Sequence, residues 1–116
     1  MVAHSCLFCK IANKEIPAKI VFEDPRIIAF EDVSPQAPVH VLLIPKRHIE
    51  KISDLTEADA ELAGYLILAA KRIAKERGIH DSGYRLVMNC NKDAGQAVFH
   101  LHLHLLGGRK FAWPPG

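Results

Sequence analysis

Hydrophobic and polar residues alternate in two short segments near the start of the chain. Residues 19–22 and 26–30 are rich in β-branched and aromatic side chains, and an Asp-Pro pair at 24–25 separates them with a turn signal. Residues 39–44 form a nearly continuous apolar run, which Pro45 closes. These patterns predict a hairpin followed by a strand that is buried on both faces.

A helical period replaces the alternation in the middle of the chain. Thr56, followed by Asp59 three residues later, resembles a capping box, and Gly78 supplies a stop signal at the other end. Apolar residues recur between them on one helical face, at Leu62, Leu66, Ala69 and Ile73. The segment from Thr56 to Gly78 is therefore predicted to be one long helix packed against the core.

Two further strands are predicted at 84–90 and 99–106, joined by a loop at 91–98 that contains Gly and Asp. With a short N-terminal helix, the order becomes short helix, three strands, long helix, two strands. Hairpin-like connections beside one long helix favour an α+β fold with a five-stranded, mainly antiparallel sheet. We expect residues 1–116 to form a single domain, since no linker or repeat divides them.

Composition narrows the class of function. The 15 Lys and Arg residues outnumber the 13 Asp and Glu residues by only two, and they are scattered, so nucleic-acid binding is not expected. Three cysteines are too few for a disulfide framework, which favours a reducing compartment. No apolar run is long enough to cross a membrane and no signal segment is recognisable, so a cytoplasmic, soluble protein is expected.

Three histidines alternate with leucines in the last predicted strand. His100, His102 and His104 should project from one face of the sheet and the intervening leucines from the other. Packing explains the leucine face, but a neutral imidazole in a core needs both a donor and an acceptor. Two functions compete to explain the histidine face: metal binding and phosphorus chemistry.

The metal alternative needs ligands from elsewhere, because same-face neighbours about 7 Å apart are stretched for two bonds of about 2 Å to one ion. In the other alternative, a neutral imidazole attacks phosphorus while neighbouring rings supply protons and charge. A histidine pKa near 6.5 allows both protonation states at one pH. The loop at 95–98 supports this alternative, because its backbone N–H groups and an amide side chain suit an anion.

Cys6 and Cys9 form a Cys-x-x-Cys pair, which indicates half of a metal site, a redox pair or a coincidence. A zinc site needs two more ligands, and the chain offers His48, after the Pro45 strand end, and His100. The redox alternative lacks a thioredoxin-like βαβ context.

The run His100-Leu101-His102-Leu103-His104-Leu105-Leu106 matches the His-x-His-x-His-x-x signature, with apolar x, of the histidine-triad (HIT) family. Four other segments resemble the branch called histidine-triad nucleotide-binding proteins, and they lie at 14–19, 30–38, 44–48 and 107–116. The resemblance covers essentially the whole chain. It implies a HIT-like fold and a purine nucleoside phosphoramidase type of activity.

Residue roles follow from the resemblance, position by position. His102 matches the family's nucleophile, and His104 and His40 match the supporting histidines around the phosphate. The resemblance implies phosphate-side contacts at Asn89, Gln96 and the backbone of Gly95 and Val98, and a ribose-binding carboxylate at Asp32. It implies an apolar purine slot at Leu7, Phe8, Ile11, Phe30 and Val33.

The resemblance also selects Cys6, Cys9, His48 and His100 as ligands of a structural zinc ion, as in bacterial-type relatives. No metal is expected in the chemistry itself, because no carboxylate cluster or P-loop is present. One departure is Ala97, where eukaryotic members commonly have a serine hydroxyl near the phosphate.

The expected reaction is hydrolysis of a purine nucleoside 5′-phosphoramidate, or a related nucleotidyl bond, through a nucleotidyl-histidine intermediate. Two alternatives remain open: dinucleoside polyphosphate hydrolysis, and a nucleotide-sensing or partner-binding module with vestigial activity. We expect a symmetric homodimer formed through the long helix and the neighbouring strand. Relatives with the same ending place their tail near the partner's active site, which implies that Trp113 shapes specificity across the dimer.

Overall fold

The predicted elements form in the predicted order in the computed structural model, which describes residues 5–116. These described residues contain two α-helices and five strands: α1 (Leu7–Ala12), β1 (Ile20–Glu23), β2 (Ile27–Glu31), β3 (Val39–Pro45), α2 (Ala60–Glu76), β4 (Tyr84–Val87) and β5 (Leu103–Gly107). Short 3₁₀ helices lie at Ile52–Asp54, Glu57–Asp59 and Lys92–Ala94. The α+β class and the five-stranded sheet are therefore confirmed.

The sheet is antiparallel throughout, in the strand order β1-β2-β3-β5-β4. The predicted turn between β1 and β2 is held by Asp24, whose Oδ1 accepts the backbone N–H groups of Arg26 and Ile27 at 2.8 and 3.0 Å. Such side-chain bonds replace the backbone bonds that a turn leaves unmade. This turn fixes the register of the β1–β2 hairpin.

The long helix begins and ends at the predicted signals. The capping box of Thr56 and Asp59 is present, and a single 3₁₀ turn lies between it and the first residue of α2. At the other end Gly78 has a φ of +73°, and the backbone N–H groups of Gly78 and Ile79 donate to the carbonyls of Lys75 and Ala74. This is a Schellman motif, in which a glycine takes the left-handed conformation without a Cβ clash.

The two faces of the sheet bury different cores. Alternate residues of β2, β3 and β5 pack against the buried face of α2, and Leu101, Leu103 and Leu105 belong to this core. The opposite faces of β2 and β3 pack against α1 through residues such as Phe8, Ile11 and Phe30. Because β5 follows the same alternation, its histidine, His104, faces the side of the sheet that carries α1.

The last two strands are shorter than predicted, because strand pairing ends early. The prediction of 99–106 was wrong at its start: residues 99–102 lie outside the sheet, and β5 begins only at Leu103. The β3–β5 register would place Leu101 opposite Pro45, which has no N–H to donate. The N–H of Leu101 instead donates to the carbonyl of Ile49 at 2.6 Å. The prediction of 84–90 likewise extended three residues too far, since β4 ends at Val87.

No helix within residues 5–116 is long and apolar enough to span a membrane.

Candidate active site

The histidine segment leaves the sheet between His100 and His104, and this places the three rings in two neighbouring clusters. His104 lies on β5, opposite Leu42 of β3. His102 packs beside it, with ring centroids 5.0 Å apart. His100 is fully buried and turns toward the end of β3 and α1. The segment therefore contributes His102 and His104 to one cluster and His100 to another.

A backbone carbonyl determines which nitrogen of His102 carries the proton. His102 Nδ1 lies 2.7 Å from the carbonyl oxygen of His100, which only accepts hydrogen bonds, so Nδ1 must donate. A neutral imidazole has one N–H, so Nε2 of His102 then carries the lone pair. The edge-on ring of Phe8 packs against His102 at a centroid distance of 5.1 Å and restrains its orientation. This tautomer can act as a nucleophile through Nε2.

A chain of hydrogen bonds, here called the relay, runs from the backbone of Gln36 through His40 to His104 and fixes the tautomers of both rings. The backbone N–H of Gln36 donates to His40 Nδ1 at 3.0 Å, so the proton of a neutral His40 lies on Nε2. His40 Nε2 is 2.9 Å from His104 Nδ1 and can donate to it. His104 then carries its own proton on Nε2. The relay thus presents an N–H donor at His104 beside the bare nitrogen of His102.

Burial keeps this relay neutral. The pKa of His104 is lowered from 6.5 to about 4, chiefly by burial and also by the neighbouring rings of His102 and His40, while the Asp32 carboxylate opposes this shift. Burial also lowers the pKa of His40, again against Asp32, whose Oδ2 lies 3.5 Å from His40 Nε2. Both rings are therefore neutral donors and acceptors near pH 7.

The second cluster has the geometry of a metal centre. Cys6, Cys9, His48 and His100 bring their ligand atoms within 4.8 Å of one another. The Nδ1 atoms of His48 and His100 are 3.2 Å apart, and the Sγ atoms of Cys6 and Cys9 lie 3.4 and 3.5 Å from His100 Nδ1. Cys9 Sγ is 3.1 Å from His48 Nδ1. All four predicted ligands therefore converge on one point.

These distances fit a tetrahedral zinc ion. Bonds of about 2.3 Å to sulfur and 2.0–2.1 Å to nitrogen leave two nitrogen ligands about 3.3 Å apart, and a sulfur and a nitrogen about 3.6 Å apart. The tautomer of His100 also fits: its Nε2 donates to the carbonyl of Pro45 at 2.7 Å, which leaves Nδ1 free to bind a metal. Burial lowers the pKa of His100 to about 4, so this ligand is unprotonated near pH 7.

Asp32, His40 and His104 also lie close enough together to form a group of three metal ligands. The hydrogen bonding does not fit a cation there. The N–H of Gln36 occupies the lone pair of His40 Nδ1, so a neutral His40 has its proton on Nε2, the atom that would face the ion. We therefore assign this group to the proton relay rather than to a metal.

An apolar cavity of about 320 Å³ lies between α1 and β2. Its lining includes Val98 and all six residues for which the family resemblance implies nucleoside contacts: Leu7, Phe8, Ile11, Phe30, Asp32 and Val33. Phe8 and Phe30 pack edge to face at a centroid distance of 5.5 Å, while Val33 is 98% exposed at the rim. The cavity thus has a rigid aromatic floor and a carboxylate at its edge.

The loop at 95–98 is fastened by the side chain of Gln96. Its Oε1 accepts the N–H of Asn91, and its Nε2 donates to the carbonyls of Glu50 and Val98 at 2.8 and 3.1 Å. The amide nitrogen of Gln96 therefore bonds once within the loop, to Val98, and once outside it, to Glu50. Gly95 has a φ of +81°, and its N–H donates to the carbonyl of Lys92. This arrangement holds the loop in shape beside the histidines.

Two other predicted residues lie less deeply in the structure. Asn89 is half-buried in the segment that follows β4. Trp113 is 81% exposed, although the tail before it is anchored: Arg85 donates to the carbonyl of Ala112, and the guanidinium groups of Arg85 and Arg109 lie 5.1 and 4.3 Å from the ring centroid of Phe111. The tail therefore presents a large indole on the surface of a single chain.

The contacts that fix the histidine tautomers are made by backbone groups, and the sequence does not predict them. The N–H of Gln36 and the carbonyls of Pro45 and His100 determine three histidine tautomers. Backbone groups are present at every position, so no residue type marks these in advance. The one available signal in the sequence is Pro45, because it closes the apolar run that contains His40 and so marks where strand pairing is expected to end.

The chain is similar to known proteins along nearly its whole length. A family model described as "HIT domain" matches residues 13–111. An uncharacterized HIT-like protein from Synechocystis is 55% identical over 115 residues, covering 99% of this chain and all of the relative.

Solved structures of related proteins also superimpose on this chain. A HIT family hydrolase from Legionella pneumophila superimposes with a TM-score of 0.95 at 55% identity, covering 97% of this chain and 100% of the other. A histidine triad nucleotide-binding protein from Candida albicans superimposes with a TM-score of 0.80 at 31% identity, over 95% of this chain and 83% of the other. From its sequence, its fold and the cluster of histidines at its centre, this chain belongs to the HIT family of hydrolases and transferases.

Proposed function

We propose that this HIT protein hydrolyses purine nucleoside 5′-phosphoramidates and releases a nucleoside monophosphate and an amine. The observation that carries the proposal is the bare Nε2 of His102, which the hydrogen bond from Nδ1 to the His100 carbonyl leaves unprotonated. A binding module has no need for a fixed nucleophilic tautomer beside a neutral N–H donor. The similar nucleotide-binding protein from Candida albicans supports a nucleotide as the ligand.

The reaction proceeds in two balanced steps. In the first, Nε2 of His102 forms a bond to phosphorus, and the phosphorus–nitrogen bond of the substrate breaks with its electron pair leaving on the amine, which takes up one proton. In the second, a water oxygen bonds to phosphorus and the bond to His102 breaks. The water releases one proton, which balances the proton that the amine takes up in the first step. The N–H of His104 stabilises the phosphoryl oxygens in both steps.

The nucleoside occupies the apolar cavity between α1 and β2. Phe8 and Phe30 offer aromatic edges to the purine, and Asp32 accepts hydrogen bonds from the ribose hydroxyls. Asn89 and the loop at 95–98 contact the phosphate. The carboxylate of Asp32 is 19% exposed, so it is open to a ligand while its other oxygen accepts the N–H of Ser34.

The metal centre holds a structural zinc ion on Cys6, Cys9, His48 and His100, and the chemistry needs no metal. Zinc suits two thiolates and two imidazoles in a closed tetrahedral set. When bound, the ion would join α1 to the end of β3 and to the histidine segment. Thiolate ligands must stay reduced, which favours the cytoplasm as the location.

The active unit is a symmetric homodimer formed through α2 and the edge strand β4. Within residues 5–116, β4 pairs only with β5, so its outer edge is open to a second copy. Ile67 and Leu68 of α2 are 53% and 57% exposed. Both features leave an apolar and hydrogen-bonding surface that a second chain can cover.

The exposed stripe of α2 is complementary to itself in charge. Together with Glu57 in the preceding 3₁₀ helix, exposed residues of α2 recur three or four positions apart, at Glu61, Gly64, Leu68, Lys71 and Lys75. If two copies lie antiparallel with Gly64 opposite Leu68, Glu61 faces Lys71 and Glu57 faces Lys75 of the other copy. The acidic half of each helix then meets the basic half of its partner. The exposed Trp113 extends from such a dimer toward the partner's active site and contributes to specificity.

The test is to trap the intermediate on a named residue. A purine nucleoside 5′-phosphoramidate mixed with the enzyme and quenched in base should leave a nucleotidyl group on His102 in peptide mass spectrometry. His102→Gly should abolish turnover while nucleotide binding remains measurable by calorimetry. His80→Ala, at an exposed histidine outside both clusters, is the matched control and should keep full turnover. Wild-type turnover in His102→Gly would refute the mechanism.

A further inference from the structure

A second cavity, of about 370 Å³, adjoins the nucleoside cavity and has no role in the proposed reaction so far. Leu7 and Val98 line both cavities, so they form the wall between them. Ala97, the neighbour of Val98 in the loop at 95–98, also lines the second cavity. The two cavities therefore meet beside the loop that contacts the phosphate.

This arrangement matches the two halves of a nucleotidyl substrate. The nucleoside and the leaving group are joined only through phosphorus, so each needs its own space on either side of the phosphate. The first cavity has the aromatic floor that suits a purine. The second cavity is then the space open to the leaving group.

The second cavity combines one carboxylate with apolar surface. Apart from Cys6 and His48, which are candidate metal ligands, Glu50 is the only lining residue among those described that carries a full charge. The side chain of Glu50 is 55% exposed. Lys51 Nζ lies 3.9 Å from Glu50 Oε1 and closer to Asp54, at 3.3 Å from its Oδ2. Phe99 and Leu7 are 44% and 47% exposed and offer apolar contacts. Such a pairing of carboxylate and aromatic ring suits a cation on an apolar stem.

The backbone around Glu50 is held in place. The carbonyl of Glu50 accepts the side-chain N–H of Gln96 at 2.8 Å, and the carbonyl of Ile49 accepts the N–H of Leu101. His48, two residues earlier, belongs to the metal centre. The carboxylate is therefore carried on a segment that is tied both to the phosphate-side loop and to the histidine segment.

We propose that this second cavity binds the leaving group, and that Glu50 selects amines that carry a further cationic group on a short apolar stem. The inference rests on the proposed phosphoramidate hydrolysis and specifies the class of its substrate. The bond that breaks is still the phosphorus–nitrogen bond, and the amine leaves with the electron pair and one proton, as above. The same carboxylate repels a nucleoside polyphosphate leaving group, which disfavours dinucleoside polyphosphates as substrates.

The test uses two substrates of equal length. One is a purine nucleoside 5′-phosphoramidate of 1,3-diaminopropane, whose leaving amine carries a second ammonium group, and the other is the uncharged n-butylamine analogue. Glu50→Gln should lower kcat/KM for the diaminopropane substrate about threefold to fivefold, the range for an exposed ion pair, and should leave the butylamine substrate unchanged. The loss should shrink at high salt because the pair is solvent-accessible.

Charge reversal and a matched control sharpen the test. Glu50→Lys should reverse the preference between the two amines and raise the turnover of diadenosine tetraphosphate. Glu76→Gln removes the same charge from an exposed position on α2 and should change neither substrate. Equal effects of Glu50→Gln on both amines, or no effect on either, would overturn the assignment of Glu50.

Failure of the proposed function gives a different pattern. If the unaltered enzyme hydrolyses neither phosphoramidate, the proposed reaction is wrong, and binding then decides the cavity's role. Titration with 1,3-diaminopropane in the presence of a purine nucleoside monophosphate should shift the amide NMR signals of Ala97 and Phe99, and Glu50→Gln should weaken that binding. Absence of these shifts in the unaltered protein would overturn the inference.

Discussion

At the scale of single residues, the protonation of the site is controlled by groups of the main chain. His102, His40 and His100 each have one ring nitrogen fixed by a backbone partner at 2.7–3.0 Å. A misplaced proton would convert a nucleophile or a metal ligand into a donor. These backbone partners therefore fix the tautomer of each ring, a role that a carboxylate has in many other histidine sites.

The lowered pKa of His104 predicts a loss of stability in acid. The folded pKa of about 4 lies below the usual 6.5, so the unfolded chain binds this proton more readily. Neutral His104 therefore stabilises the fold fully above about pH 6.5, and this contribution is lost as the pH falls toward 4. From the shift, the loss is at most about 3 kcal/mol.

Urea unfolding between pH 7.5 and 4 measures this effect. His104→Gln should show a smaller decrease in unfolding free energy over that range than the unaltered protein. His80→Gln, at an exposed position, should follow the unaltered protein. Parallel decreases in His104→Gln and the unaltered protein would mean that His104 titrates normally.

At the scale of elements, the metal centre connects parts of the chain that the sheet does not connect. Cys6 caps the N-terminus of α1, where its Sγ accepts the N–H of Cys9 at 3.3 Å. His48 follows the end of β3, and His100 begins the histidine segment. The three segments meet where strand pairing has already ended at Pro45. A metal ion bound there would cross-link these segments where sheet hydrogen bonds are missing.

Removal of one ligand should therefore affect stability more than chemistry. Protein purified without added metal should contain about one zinc ion per chain, and Cys6→Ser should lower this content. The variant should lose more than about 3 kcal/mol of unfolding free energy. Its kcat, measured where it is still folded, should decrease about tenfold at most, because His102 keeps its own carbonyl partner.

Cys90→Ser provides the control for these measurements. Cys90 lies outside the cluster, with its Sγ 3.3 Å from Ser53 Oγ, so its removal should leave the zinc content unchanged. Absence of zinc from the unaltered protein, with full stability retained in Cys6→Ser, would reject the structural metal.

At the scale of the whole molecule, the self-complementary stripe of α2 predicts how two copies recognise one another. Lys71→Glu places two acidic residues together at each end of the proposed helix pair and should weaken dimerisation about tenfold, with less effect at high salt. Glu61→Lys combined with Lys71→Glu restores opposite charges and should restore the dimer. Sedimentation equilibrium distinguishes the three proteins.

Lys92→Glu is the matched control, because it reverses a charge in the 3₁₀ helix Lys92–Ala94, away from α2. It should leave the dimer intact. If the double variant dimerises no better than Lys71→Glu alone, the antiparallel register is wrong.

The sequence by itself determined the order of the elements and the residues that form the candidate metal centre. Period-two alternation placed the leucines and histidines on opposite faces, and the structure confirms this, because side chains in an extended chain must alternate. The capping box and Gly78 defined α2 for the same local reason. The spacing of Cys6 and Cys9, with His48 and His100, identified four residues that the structure brings together.

Only the tertiary structure decided how these residues are arranged. The late start of β5, at Leu103, depends on Pro45. In the β3–β5 register Pro45 lies opposite Leu101, although the two residues are 56 positions apart in the chain. The histidine tautomers depend on carbonyls and N–H groups that every residue carries and that only folding brings into range. The second cavity depends on Glu50 lying beside Ala97. Local pattern encodes which face a side chain occupies, whereas its partners depend on long-range packing.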